Sequence, residues 1–113
     1  MITIYHNPSC GKSREGLKLL EASLKEFKVV FYLKDRLNKA KLNEILLLLN
    51  KNPKDIVRKN EPLWKEYYKD KTFSDDELID VLIENPKLIE RPIVINKDVG
   101  VIGRPTEKIL EII

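Results

Sequence analysis

The sequence predicts an α/β fold: a parallel βαβ unit and a ββα unit forming one sheet, with a helical insertion between the two halves. Three observations carry this. Short β-branched and aromatic runs occur at residues 2–5 and 28–33, separated by apolar residues at helical spacing. Two more such runs, at 93–95 and 99–102, are separated only by Asn96-Lys97-Asp98, a hairpin turn. The residues between are helix-patterned and punctuated by Pro53 and Pro86.

Each element has its own warrant. Ile2 to Tyr5 reads as the first strand. From Ser13 to about Lys25, Leu17, Leu20 and Leu24 form one stripe that Phe27 continues, so a helix is expected there. Lys28 to Leu33 suits a strand buried on both faces, and strand-helix-strand connections of this kind are right-handed and parallel. Asn38 is a helix cap, with Leu42, Ile45, Leu46 and Leu49 on one face. Leu47 and Leu48 widen that face, which predicts packing on more than one side. Pro53 opens a short helix through Val57, and Glu61 to Lys69 forms another piece. Ser74-Asp75-Asp76-Glu77 is a capping box, opening a helix that buries Leu78, Ile79 and Leu82 and stops before Pro86. After the hairpin, Pro105 starts a final helix anchored by Ile109, Leu110 and Ile113. Insertion aside, this is the element order of a thioredoxin-like domain. The expectation is one domain over residues 1–113, with the helical insertion at about 38–86. By analogy with that fold, the Arg91-Pro92 bond is expected to be cis.

Composition narrows the function classes. A chain of 113 residues with 42% hydrophobic and 35% charged residues can bury a core of its own. No apolar run is long enough to span a membrane and no leader is evident, so neither a membrane nor export is expected. A single cysteine cannot form an internal disulfide, which suits a reducing cytoplasm. The net charge of +3 is spread among acidic residues, a solvated surface rather than a nucleic-acid patch. One His and one Cys are too few for a metal site of the usual kind, and no bound cofactor is expected.

Chemistry concentrates in one turn. Cys10 follows the first strand and precedes the first helix, where unpaired backbone N–H groups favour an anion. A thiol so placed becomes a nucleophile when its pKa falls, whereas a buried thiol in apolar surroundings stays inert. Both readings are open from this position alone. Lowering a thiol pKa from about 8.5 to about 6.5 requires roughly 2.7 kcal/mol. A helix N-terminus supplies about 0.3–1 kcal/mol and at best about 2. Other donors or cations must therefore contribute, and His6, Ser13, Arg14 and arginines from elsewhere in the fold are the candidates. There are only five arginines against 16 lysines, and Arg58, Arg91 and Arg104 lie in separate boundary segments. Solvent-facing arginines are the plain reading of such positions; bidentate oxyanion binding is the functional one.

Competing motifs fail. Gly11-Lys12-Ser13 resembles the end of a nucleotide-binding P-loop, but its first Gly is replaced by His6. A phosphatase-type loop needs Arg where Gly16 stands, and a redox Cys-x-x-Cys needs Cys where Ser13 stands.

Four segments in order resemble the glutaredoxin-coupled arsenate reductases, the ArsC family of the thioredoxin-like superfamily. They are His6-Asn7-Pro8-Ser9-Cys10-Gly11-Lys12-Ser13-Arg14, Val57-Arg58-Lys59-Asn60, Leu88-Ile89-Glu90-Arg91-Pro92-Ile93-Val94 and Gly103-Arg104-Pro105-Thr106-Glu107. Thr72 to Asp80 is also similar. The resemblance implies Cys10 as nucleophile and Arg58, Arg91 and Arg104 as the oxyanion-binding set. It implies arsenate as substrate, glutathione as co-substrate and glutaredoxin as the partner that reduces a Cys10–glutathione disulfide. A lone cysteine fits an external second thiol. Lys12 stands where better-known members often have Thr. Two alternatives remain: a glutathione-dependent thiol reductase acting on another substrate, and a redox-responsive transcription regulator binding RNA polymerase. Such sensors commonly use Cys-x-x-Cys, against which Ser13 counts.

Overall fold

A computed structural model describes residues 1–113. The chain divides into two compact units, Met1–Asp35 with Arg91–Ile113, and Arg36–Glu90.

The first unit holds the sheet. Its elements are β1 (Ile2–Tyr5), α1 (Gly11–Ala22), β2 (Phe27–Val30), β3 (Ile93–Asn96), β4 (Val99–Ile102) and a closing 3-10 helix, Thr106–Glu111. The strand order is β2-β1-β3-β4, with β1 and β2 parallel and the β1–β3 and β3–β4 pairs antiparallel. This is the thioredoxin-like arrangement. The register pairs Tyr5 with both Val30 and Ile93, and Ile93 with Ile102. The exits of β1, β2 and β4 and the entry of β3 therefore all lie at one end of the sheet. Ile2, Ile4, Leu20, Val94 and Ile109 form the core, with Leu17, Leu19, Phe27, Val29 and Val101 packed against it. Each such side chain contributes about 1.5–3 kcal/mol when fully buried.

The second unit holds α2 (Lys39–Leu49), α3 (Pro62–Tyr67), α4 (Asp75–Glu84) and 3-10 turns at Pro53–Ile56 and Pro86–Leu88. Asn38 caps α2, its side chain accepting from the Lys41 N–H. Asn50 closes α2 in the left-handed region at φ 56°, which Asn tolerates well. Ser74 and Glu77 form the expected capping box of α4. Leu78, Ile79 and Leu82 are buried.

Four details depart from expectation. Helix α1 stops at Ala22, and Leu24 takes φ 61° with 93% of its surface exposed, outside the apolar stripe. The chain must reverse there to reach β2 at Phe27. Strand β2 ends at Val30 and is only partly buried, because it lies at the sheet edge rather than the centre. Leu47 is 81% exposed, so α2 does not pack on a second side there. The final helix is 3-10, and Leu110 is exposed while Ile109 is fully buried. The Arg91-Pro92 bond is cis, as expected, and Arg104-Pro105 is cis as well.

Candidate active site

The loop after β1 is held by its own polar groups. The His6 N–H donates to the Val30 carbonyl at 2.9 Å, extending the β1–β2 ladder by one residue. Asn7 Oδ1 accepts from the Ser9 N–H at 3.0 Å, and the Asn7 carbonyl accepts from the Cys10 N–H at 3.0 Å. These bonds turn the chain through Pro8 and set Cys10 as the N-cap of α1, with extended backbone and no side-chain cap bond. Cys10 is only 9% exposed.

Cys10 Sγ meets two guanidinium groups. Arg104 Nη2 lies 3.5 Å from it, and Arg91 also hydrogen-bonds to it. Burial alone pushes the thiol pKa up and is the largest single influence. The Arg91 hydrogen bond and charge, with the backbone N–H groups of Ser13 and Lys12, reverse it and hold the pKa below the ordinary thiol value. The helix N-terminus thus assists, and Arg91, from another element, is the leading influence against burial.

Those cations arrive through the far half of the sheet. Arg91 is buried immediately before β3, and Arg104 follows β4. Arg104 Nε donates to the Arg91 carbonyl at 2.9 Å, and the Gly103 N–H donates to the Pro92 carbonyl at 2.8 Å. The two arginine segments are therefore locked to each other. Gly103 makes this possible: a Cβ there would stand 3.0 Å from both Ile109 Cδ1 and Pro92 Cγ. On α1, Gly16 allows a similar approach, where a Cβ would lie 3.0 Å from Pro92 Cγ. Thr106 Oγ1 donates to Glu15 Oε2 at 3.0 Å, bracing the segment after Arg104 against α1.

The other expected supports of the thiol act differently. Ser13 reaches Cys10 through its backbone N–H. Its hydroxyl accepts from the Asn7 N–H at 3.0 Å and bonds His6 Nδ1 at 2.7 Å. With one lone pair taken by Asn7, the hydroxyl proton is available to His6 Nδ1, the arrangement of a neutral imidazole protonated at Nε2. His6 is 3% exposed, and burial, followed by the Arg14 charge, lowers its pKa, against a smaller opposing hydrogen bond from Ser13. His6 therefore braces Ser13, whose backbone N–H supports the sulfur. Arg14 Nη1 donates to the Pro8 carbonyl at 2.9 Å and braces the loop.

Arg58 belongs to the second unit, where its N–H donates to the Leu88 carbonyl at 2.7 Å beside the Val57–Ile89 bridge. Its Nη2 lies 3.7 Å from Glu61, and its Nη1 is buried without a hydrogen-bond partner. Sequence reading singles out neither Asn7 nor Glu15. For Asn7 a signal existed, since Asn before Pro favours a turn closed by its own side chain; nothing in the sequence marks Glu15.

A thioredoxin-like sheet whose first loop carries a buried free cysteine, with arginines at its sulfur, defines a class of thiol-bearing proteins. Within that class the chain belongs to the ArsC family, which matches it over residues 5–112. It is 43% identical to the uncharacterized protein YfgD of Escherichia coli over 99% of this chain and 96% of that one. It is 40% identical to an arsenate reductase of Haemophilus influenzae, covering 99% and 98% of the two chains. The solved structure of an arsenate reductase from Vibrio cholerae superimposes with a TM-score of 0.93 at 41% identity, covering 99% and 97%. No helix is long and apolar enough to cross a membrane.

Proposed function

We propose that this protein reduces arsenate to arsenite with glutathione and glutaredoxin, using Cys10 as nucleophile. The observation that carries the reading is the buried Cys10 thiol with Arg104 Nη2 at 3.5 Å, Arg91 hydrogen-bonded to it, and a lowered pKa. The relatives named arsenate reductases support the choice of oxyanion.

The Cys10 thiolate attacks arsenic of a bound arsenate, and one arsenate oxygen leaves as water after taking up protons. Two anions must meet in this step. The guanidinium groups of Arg91 and Arg104 offset their repulsion and stabilise charge on the arsenate oxygens. Arg58, with a buried and unpartnered Nη1, is the third oxyanion-binding arginine of the proposal. A glutathione thiolate then attacks Cys10 Sγ. The sulfur–arsenic bonding pair stays on arsenic, which leaves as arsenite. Each sulfur has given up one electron, and the product is a Cys10–glutathione disulfide. Glutaredoxin returns Cys10 to the thiol by thiol–disulfide exchange.

The test is arsenate-dependent NADPH oxidation in the presence of glutathione, glutaredoxin and glutathione reductase. The reading requires activity that Cys10→Ser abolishes. Thiol-dependent turnover of other substrates without any arsenate dependence would assign the protein as a general glutathione-dependent reductase instead.

A further inference from the structure

A cleft of about 410 Å³ opens on the other side of the Cys10 loop from the arginines, within the size range of small-molecule sites, about 300–1,000 Å³. His6, Asn7, Pro8 and Ser9, the four residues before Cys10, form one wall, and Phe31, Leu33, Lys34 and Asp35 form the other. The mechanism above uses none of these four later residues.

The sheet order explains the placement. Strand β1 lies between β2 and β3. The Cys10 loop leaves β1 at the end of the sheet where β2 exits on one flank, while β3 enters and β4 exits on the other. The β3–β4 flank delivers Arg91 and Arg104 to the sulfur. The β2 flank delivers Phe31 to Asp35. Displacement at a sulfur atom requires the incoming thiolate opposite the departing group. With arsenic held on the arginine flank, the second thiol must approach from the other one.

The lining has the chemistry of a small zwitterionic peptide. The Phe31 ring packs edge-on to His6, with centroids 5.8 Å apart, yet remains 43% exposed. It is a fixed apolar surface without a cover. Leu33 is half-buried beside it. Lys34 and Asp35 are exposed, and their backbone N–H groups both bond the Phe31 carbonyl, at 3.0 and 2.9 Å. That turn presents one cation and one anion side by side at the end of an apolar strip. Glutathione carries two carboxylates and one ammonium around a short cysteine stem.

We infer that the cleft between Pro8-Ser9 and Phe31–Asp35 is the glutathione site, with Lys34 taking a carboxylate, Asp35 the ammonium, and the Phe31 surface the cysteine stem. The inference rests on the proposed use of glutathione, but its test does not require arsenate chemistry. S-methylglutathione has no free thiol and cannot form a disulfide. Titrated into the reduced, isotope-labelled protein, it should shift the amide resonances of Ser9 and Phe31 to Asp35 saturably, with a millimolar or tighter dissociation constant. Lys34→Glu should weaken that binding about fivefold, with a loss that shrinks in high salt. Saturable shifts centred on Arg91–Ile93 or Gly103–Thr106, or no saturable shifts, would overturn the assignment. So would a Lys34→Glu protein that binds as tightly as wild type. If glutaredoxin perturbs these amides and S-methylglutathione does not, the cleft is a protein-docking surface and the inference is wrong. Failure of the arsenate assay with the shifts intact would reject arsenate as substrate and leave the site standing.

Discussion

Removing one buried oxygen tests how the Cys10 loop is built. Ser13→Ala deletes an Oγ that is fully buried and bonded to both His6 Nδ1 and the Asn7 N–H. His6 and Asn7 are themselves buried and border the cleft beside Phe31, so only water entering that cleft could replace the lost bonds. Leaving a buried polar group unpaired costs about 1–3 kcal/mol, so two such groups cost about 2–6 kcal/mol. Against a total stability of about 5–15 kcal/mol, that is a large loss. For a chain of this size it lowers Tm by about 4 °C per kcal/mol. Urea unfolding followed by circular dichroism measures it, with the exposed Ser9→Ala as a control expected to stay within about 0.5 kcal/mol. The backbone N–H of residue 13 survives the change, so the support it gives Cys10 should survive too. Iodoacetamide alkylation near neutral pH should then slow less in Ser13→Ala than in Arg91→Met. A destabilisation below about 1 kcal/mol would refute the account of the loop, because it would mean the two partners find others. An alkylation rate falling as far as in Arg91→Met would show instead that the hydroxyl acts on the thiol.

Further predictions concern the same site. Wild-type Cys10 should alkylate faster near neutral pH than a free glutathione thiol, and the rate should fall as pH drops through the lowered thiol pKa. Arg91→Met should slow that alkylation and raise the KM for arsenate, because it removes the leading influence that favours the thiolate; unchanged values would remove Arg91 from the mechanism. Gly103→Ala drives a Cβ against buried Pro92 and Ile109, so unfolding should show a cost of about 1–3 kcal/mol, with slower alkylation as Arg104 shifts. The buried neutral His6 adds a pH dependence. Its folded pKa lies below the ordinary 6.5, so the unfolded chain binds the proton more strongly. Stability from this group is therefore complete above pH 6.5 and is lost as pH falls through that value towards the folded pKa. His6→Asn should flatten the decline in that window when denaturation midpoints are compared across pH.

The sequence revealed what depends on neighbours along the chain. Asn38 and the Ser74–Glu77 box mark helix starts because their bonds span only three residues. The Cys10 turn was legible for the same reason. Leu24 misled because helical spacing says nothing of where the chain must reverse, and the reversal falls within that last apparent turn. Leu47 and the edge position of β2 depend on what lies alongside, which periodicity does not contain. His6 and Arg14 were legible as polar groups near a thiol but not as braces, because their partners depend on the fold of the turn.

The thiol itself shows the limit most clearly. A helix N-terminus is a local feature, and its contribution falls short of the roughly 2.7 kcal/mol that strong activation takes. Burial moves the pKa the wrong way, so the shortfall is larger in the folded protein than the bare turn implies. Arg91, with the backbone N–H groups of Ser13 and Lys12, makes up the difference, and Arg104 Nη2 also reaches the sulfur; the two arginines stand 81 and 94 residues further along the chain. Only the antiparallel addition of β3 to β1, followed by the β3–β4 hairpin, returns both to the sheet end where the Cys10 loop leaves. Sheet topology is therefore part of the chemistry. A change that shifted the β1–β3 register by one residue would leave the Cys10 turn intact and displace Arg91 by one strand step, about 3.3 Å, enough to break its hydrogen bond to the sulfur.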